Sequence, residues 1–162
     1  IRIGDWSSDV CSSDLYDPVI PADVKLENIE RVATIEEIFE KADFVSLHLP
    51  ETPQTKKMIN KSLLSLMKPT ACLINCARGG IVDEDDLYEA LSEHKIHGAG
   101  VDVLTQEPFD KDSRLLKLDN MIVTPHDAAL NVETMNKMGL DAAQGIYEVF
   151  EGLKPSWPVS KF

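Results

Sequence analysis

The sequence predicts an α/β fold in which helices cover the faces of a parallel sheet. Three observations predict it. Short apolar runs of strand length alternate with amphipathic helical stretches from about residue 35 onward, the pattern of strands buried on both faces. The 162 residues suffice for one domain with its own core, and 43% apolar with 27% charged residues is ordinary for a soluble globular chain. The residues able to do chemistry collect just past the C-terminal ends of the expected strands, where open α/β sheets bind ligands.

Each element follows from its residues. Residues 35–42 (IEEIFEKA) set Ile35, Ile38 and Phe39 at helical spacing. Residues 43–49 (DFVSLHL) form a strand stopped by Pro50, which has no N–H for a ladder. Residues 60–68 form a helix with Asn60 as its N-cap. Residues 71–77 (ACLINCA) form an apolar strand that runs into Arg78-Gly79-Gly80. Residues 83–95 form a helix whose acidic first turn suits the helix dipole. Residues 97–103 (HGAGVDV) and 121–125 (MIVTP) are two more strands, and 131–152 is a long helix closed by Gly152. The strand ends carry His48, Arg78, Asp102 (with Glu107 in the following loop) and His126.

Composition narrows the function. A formal charge of −12 repels phosphate backbones and anionic lipid, which argues against nucleic acid and membrane partners. No apolar run is long enough to span a bilayer, and the first residues lack the regions of a signal peptide. The cysteines are Cys11, Cys72 and Cys76. Cys72 and Cys76 lie on one strand with Cα atoms about 13 Å apart, beyond disulfide reach. They are expected to be small buried side chains. Without a CxxC or His-rich spacing no metal site is expected, and the compartment is reducing, hence cytoplasmic.

Residues 5–15 (DWSSDVCSSDL) stand apart, with neither hydrophobic period nor capped helix pattern. They resemble the one-frame translation of a common sequencing-library adapter. Residues 1–15 are therefore read as a foreign segment and set aside from functional reasoning, as a tag would be. Without Arg2, Asp5, Asp9 and Asp14, one cation and three acids, the charge moves from −12 to −10 and stays acidic.

At NCARGGIVDEDDL (75–87), GAGVDVLTQEP (98–108) and TPH (124–126) the chain resembles the D-2-hydroxyacid dehydrogenases, the family of phosphoglycerate dehydrogenase and of hydroxypyruvate and glyoxylate reductases. The likeness runs from about Tyr16 to the end. It implies a Rossmann-type, doubly wound parallel sheet. It also implies that the sheet is incomplete. The family's GxGxxG turn should stand about 20 residues before the ribose-binding acid, and no such turn occurs in this sequence. The first strand, its helix and most of the second strand are thus expected to be missing, as is the N-terminal part of the substrate domain. Residues 16–127 would be a partial NAD-binding domain. Residues 128–162 would be the return helix and tail of the substrate domain.

The resemblance implies roles for individual residues. Arg78 should grip the substrate carboxylate, which its planar fork suits better than a lysine would. His126 should exchange a proton with the substrate oxygen, since imidazole titrates near working pH. Glu107 should bond the far ring nitrogen, fixing the ring and favouring its protonated form. Formate dehydrogenases of the same superfamily carry glutamine there, so Glu107 indicates the hydroxy-acid branch. Asp17 should bind the adenosine ribose hydroxyls and repel a 2′-phosphate, favouring NAD over NADP. Leu49 and Pro50 should lie along the adenosine side. Cys76, Ala77, Arg78 and His126 should border the nicotinamide half, and Asp102 should contact its carboxamide. Ala128 and Ala129 match small residues after the histidine.

The implied activity is that of an NAD-dependent oxidoreductase. It would interconvert a small 2-oxo acid and its D-2-hydroxy acid, as a homodimer in the intact parent. The competing reading is an NAD(H)-sensing, corepressor-like binding protein that keeps Arg, Glu and His; the 162 residues alone are expected to be inactive under either. The remaining residues take plain roles. His48 matches a position near the cofactor loop, with a structural role the equal alternative, His94 and His97 sit at a helix end and a strand start, and Glu84, Asp85 and Asp86 form a solvated helix N-terminus. Met135, Met138 and Leu140 are expected to pack, and Trp157 to anchor the returning tail.

Overall fold

The computed structural model describes residues 13–21, 23–24 and 29–158. Cys11, Trp6 and most of the adapter-like tract lie outside the described residues. The elements in chain order are β1 (Ser13–Leu15), β2 (Ile29–Arg31), α1 (Ile35–Lys41), β3 (Phe44–Leu47), α2 (Lys61–Leu64) and β4 (Cys72–Asn75). They continue with α3 (Glu84–Ser92), β5 (Gly98–Val101), β6 (Met121–Val123) and α4 (Val132–Phe150). The chain divides into two compact units, the first ending at His126 and the second beginning at Asp127.

In the first unit every ladder is parallel, as the alternation of strands and helices predicts. β1 pairs with β2, and β3-β4-β5-β6 pair in that order. One register line runs across the four strands, from Leu47 to Asn75 to Val101 to Val123. Ile38 and Phe39 of α1 and Leu87 and Leu91 of α3 are buried with Val45, Leu47 and Leu73 in one core. Three helices start where a side chain satisfies a free N–H. Thr34 Oγ1 accepts from Glu37 at 3.3 Å, Asn60 Oδ1 from Ser62 at 3.0 Å and Asp83 Oδ1 from Asp85 at 3.1 Å.

Four differences from the sequence reading have physical causes. α2 ends at Leu64 because the next amides, of Leu66 and Met67, bond three residues back (3.0 and 3.2 Å), tightening the chain before Pro69. α3 ends at Ser92 in a Schellman motif. Lys95 N–H reaches Ala90 O at 2.8 Å and His94 N–H reaches Leu91 O at 3.0 Å, with His94 left-handed at φ 51°. β2 was not expected, because three residues with Glu30 exposed are too short to carry a period. The cysteines are not the buried side chains expected. Cys72 is half-buried, and Cys76, one residue beyond the last paired residue of β4, is exposed. Three residues of the adapter-like tract, Ser13–Leu15, form β1, through backbone bonds that any side chain permits.

The second unit holds α4 and its tail. Asn131 Oδ1 caps the helix through Thr134 N–H at 2.8 Å. At the other end Gly152 (φ 69°) makes a second Schellman motif, with Leu153 N–H on Glu148 O at 2.8 Å and Gly152 N–H on Val149 O at 3.1 Å. Two expectations are corrected here. Met135, Met138 and Leu140 are exposed, since a single helix offers no second layer to bury them. Trp157 is exposed too, with Lys137 Nζ over its ring at 5.8 Å. The tail is held by Glu148 instead, whose carboxylate accepts the Ser156 N–H and hydroxyl, each at 2.7 Å. No helix among the described residues is long and apolar enough to cross a membrane.

Candidate active site

The register line fixes where the chemistry stands. Cys76, Asp102 and Thr124 are the first residues past it on β4, β5 and β6, so Arg78 and His126 follow at the same edge of the sheet. β3 brings His48, Leu49 and Pro50 to that edge as well.

Arg78 is exposed at the head of the 3-10 turn Gly79–Ile81. Its Nη1 donates to Ala77 O at 2.7 Å. The turn is fixed from below by Asn75, which is 1% exposed. Asn75 Nδ2 donates to Arg78 O and its Oδ1 accepts from Ala77 N–H, both at 3.0 Å. Gly79 lies flat against the backbone of Leu104 and Thr105, where a Cβ would overlap main-chain atoms. That contact joins the Arg78 turn to the loop that leads to Glu107.

His126 Nδ1–H donates to Glu107 Oε2 at 2.9 Å, and both side chains are partly exposed. The pair borders a groove of about 430 Å³ with Pro108, Phe109 and Pro125. His126 holds a left-handed backbone, φ 57°, rare for a non-glycine residue. Its N–H meets two carbonyls, Asp102 O at 2.8 Å and Thr124 O at 3.0 Å. Asp102 is buried at 3% exposure, and its carboxylate accepts the Thr124 hydroxyl. Desolvation, with the Asp102 carboxylate, pushes the Cys76 thiol up, away from the lowered value of a reactive cysteine.

Other predicted residues are placed as follows. Asp17 follows β1 and folds into an Asx turn, accepting from Val19 N–H at 2.8 Å and Ile20 N–H at 3.2 Å. The Arg31 guanidinium ties the same turn together through Ile20 O at 2.6 Å and Pro21 O at 2.7 Å. Leu49 is half-buried and Pro50 exposed, and Pro50 O accepts from Thr55 Oγ1 at 2.7 Å. His48 Nε2 stands 2.8 Å from Ser46 Oγ. Ala128 and Ala129 are exposed and belong to the second unit. Glu84, Asp85 and Asp86 do more than face solvent. Glu84 accepts from Thr105 N–H at 2.6 Å, Asp86 from Lys61 N–H at 2.8 Å, and Asp85 pairs with Arg114. Among the described residues no group of acids, histidines and cysteines could hold a metal.

Asn75, Gly79 and Thr124 were not singled out from sequence. The one available signal was Asn75, the only polar residue in the apolar run 71–77.

A dinucleotide needs acceptors for a ribose and for a carboxamide, and donors for a pyrophosphate. Asp17 and Asp102 are the carboxylates available for the first two, Asp17 with Oδ1 engaged in its Asx turn and Asp102 3% exposed beside the Thr124 hydroxyl. The glycine-rich turn that meets the third occurs nowhere in the 162 residues.

Residues 11–128 match the family described as D-isomer specific 2-hydroxyacid dehydrogenase, NAD binding domain. The chain is 46% identical over 138 residues to D-3-phosphoglycerate dehydrogenase of Methanocaldococcus jannaschii, covering 85% of this chain and 26% of that one. It is 41% identical over 140 residues to glyoxylate reductase of Korarchaeum cryptofilum, covering 86% and 42%. The structure of D-lactate dehydrogenase with NAD+ from Lactobacillus jensenii superposes with a TM-score of 0.80 at 31% identity, over 91% of this chain and 48% of that one. The chain thus spans less than half the length of each of these relatives. It belongs to the D-isomer specific 2-hydroxyacid dehydrogenase family, of which it carries the NAD-binding domain.

Proposed function

We propose that this chain is the catalytic edge of an NAD-dependent reductase of a small 2-oxo acid, working as a cytoplasmic homodimer. The observation that carries the reading is the 2.9 Å contact between His126 Nδ1 and Glu107 Oε2, at the sheet edge that also presents Arg78. With Nδ1–H committed to the carboxylate, Nε2 is the ring nitrogen that faces a substrate. In reduction His126 gives the Nε2 proton to the C2 oxygen, and Glu107 offsets the charge on the ring. Arg78 binds the neighbouring carboxylate through paired N–H donors and aligns the carbonyl carbon. When bound, NAD(H) supplies or accepts the hydride. Asp17 would hold its ribose hydroxyls and disfavour a 2′-phosphate, Leu49 and Pro50 would lie along the adenosine side, and Asp102 would accept from the carboxamide. Cys76 and Ala77 would border the nicotinamide half by their backbone.

On this reading residues 1–15 are foreign, 16–127 belong to the cofactor domain and 128–162 to the substrate domain. The test is NADH oxidation by the intact gene product with glyoxylate, hydroxypyruvate or pyruvate. Turnover that disappears in His126→Ala is expected. NADH binding without turnover on any of the three would favour the corepressor-like reading. The 162 residues alone should show no turnover, and calorimetry detecting micromolar NAD binding by them would refute the need for a glycine-rich turn.

A further inference from the structure

Arg78 and His126 stand on different strands, yet an unbroken line of hydrogen bonds joins the turns that carry them. Asn75 holds the Arg78 turn through both ends of its side-chain amide, at Ala77 N–H and Arg78 O. Its own carbonyl accepts the Asp102 N–H at 2.9 Å. Asp102 takes the Thr124 hydroxyl at its carboxylate and the His126 N–H at its carbonyl. The two middle members, Asn75 and Asp102, are 1% and 3% exposed. A polar side chain buried to that degree has few alternative rotamers and no water to replace a lost partner. Movement at one end is therefore resisted at the other.

We infer that Asn75 and Thr124 are positioning residues, which hold the Arg78 turn and the His126 backbone as one unit through Asp102. The inference rests on the proposed function only for what Arg78 and His126 do. The coupling itself is a property of the fold. It accounts for how a left-handed His126 keeps its place. Its N–H is shared between two carbonyls, one from Asp102 and one from Thr124, and Thr124 is bound to Asp102 a second time through its hydroxyl.

Amide hydrogen exchange on the 162-residue chain tests the coupling directly. Thr124→Val keeps the shape and removes the hydroxyl, and Thr124→Ser keeps the hydroxyl. The decisive probe is the Ala77 amide, which bonds Asn75 and makes no hydrogen bond to Thr124. Thr124→Val should speed exchange at both His126 and Ala77 by about tenfold, the scale of one lost hydrogen bond, and leave Ile38 and Phe39 in α1 unchanged. Thr124→Ser should restore both. A response confined to His126, or one shared equally by all amides, overturns the inference. Combining Thr124→Val with Asn75→Ala should give less than the product of the two single effects. In the intact protein, Thr124→Val should raise KM for the oxo acid, through Arg78, as well as lower kcat. A fall in kcat at constant KM would overturn the coupling. Absence of turnover in the unmodified protein would overturn the proposed function, and the exchange result would stand separately.

Discussion

Gly79→Ala should separate the two halves of the candidate site with one methyl group. Gly79 has no left-handed φ, so the effect is one of space alone. The added Cβ would overlap the Leu104 carbonyl and the Thr105 nitrogen, and the two backbones must part by roughly 1 Å or more to restore ordinary contact. Backbone on both sides leaves no side chain to swing aside, so the cost should be about 2–3 kcal/mol. Gly80→Ala is the control. The nearest atoms its Cβ would meet are those of the Glu51 carboxylate, an exposed side chain able to turn away, and the cost should stay under about 1 kcal/mol. With a urea m-value of about 2 kcal/mol/M, Gly79→Ala should lower the unfolding midpoint by about 1–1.5 M and Gly80→Ala by less than about 0.5 M. Equal midpoints for the two variants would refute the argument, because it rests on the difference between a backbone neighbour and a flexible side chain.

Three further outcomes are expected. Arg78→Lys in the intact protein should raise KM for a 2-oxo acid tenfold or more, since an ammonium cannot make the paired contact, and steady-state kinetics would read it. Glu107→Gln should lower kcat of reduction by about a hundredfold with less effect on KM, because the imidazolium loses its counter-charge. Hydrogen bonds from Gln144 and Ser156 hold the Glu148 carboxyl below its ordinary value of 4.5. A depressed carboxylate contributes stability that is complete above that ordinary value and lost as pH falls through the depressed one. The tail should therefore stay docked on α4 at neutral pH and loosen only below about pH 4.5, as read by Trp157 fluorescence in a Trp6→Phe background.

The parallel sheet was legible because its strands are buried enough to read as apolar runs. Val45, Leu47, Leu73 and Val101 all reach the core. The start of α2 was legible through Asn60, a local residue that bonds the next turn of its own chain. Helix ends were less so. The stop of α2 lies in a change to three-residue hydrogen bonds at Leu66 and Met67, and His94 at the end of α3 takes a conformation usually left to glycine. Arg78, Glu107 and His126 stood out as motif residues, and their sheet edge follows from strand polarity. The roles of Asn75, Gly79 and Thr124 could not be read, because each depends on a neighbour 22 to 27 residues away in sequence that only the ladder register brings near. The apolar residues of α4 show the reverse limit. Helical spacing marks Met135, Met138 and Leu140 as able to pack, and says nothing of whether a surface is present to receive them.

His126 sets folding and chemistry against each other at a single residue. Its backbone, at φ 57°, is one that glycine or asparagine adopts at little cost and that costs other residues about 1 kcal/mol or more. Random variation screened only for expression or heat resistance should therefore drift toward glycine or asparagine at position 126. Screening for turnover should restore the imidazole. The same library sorted by the two criteria would diverge at this position, which makes residue 126 a marker of which property a given selection has rewarded.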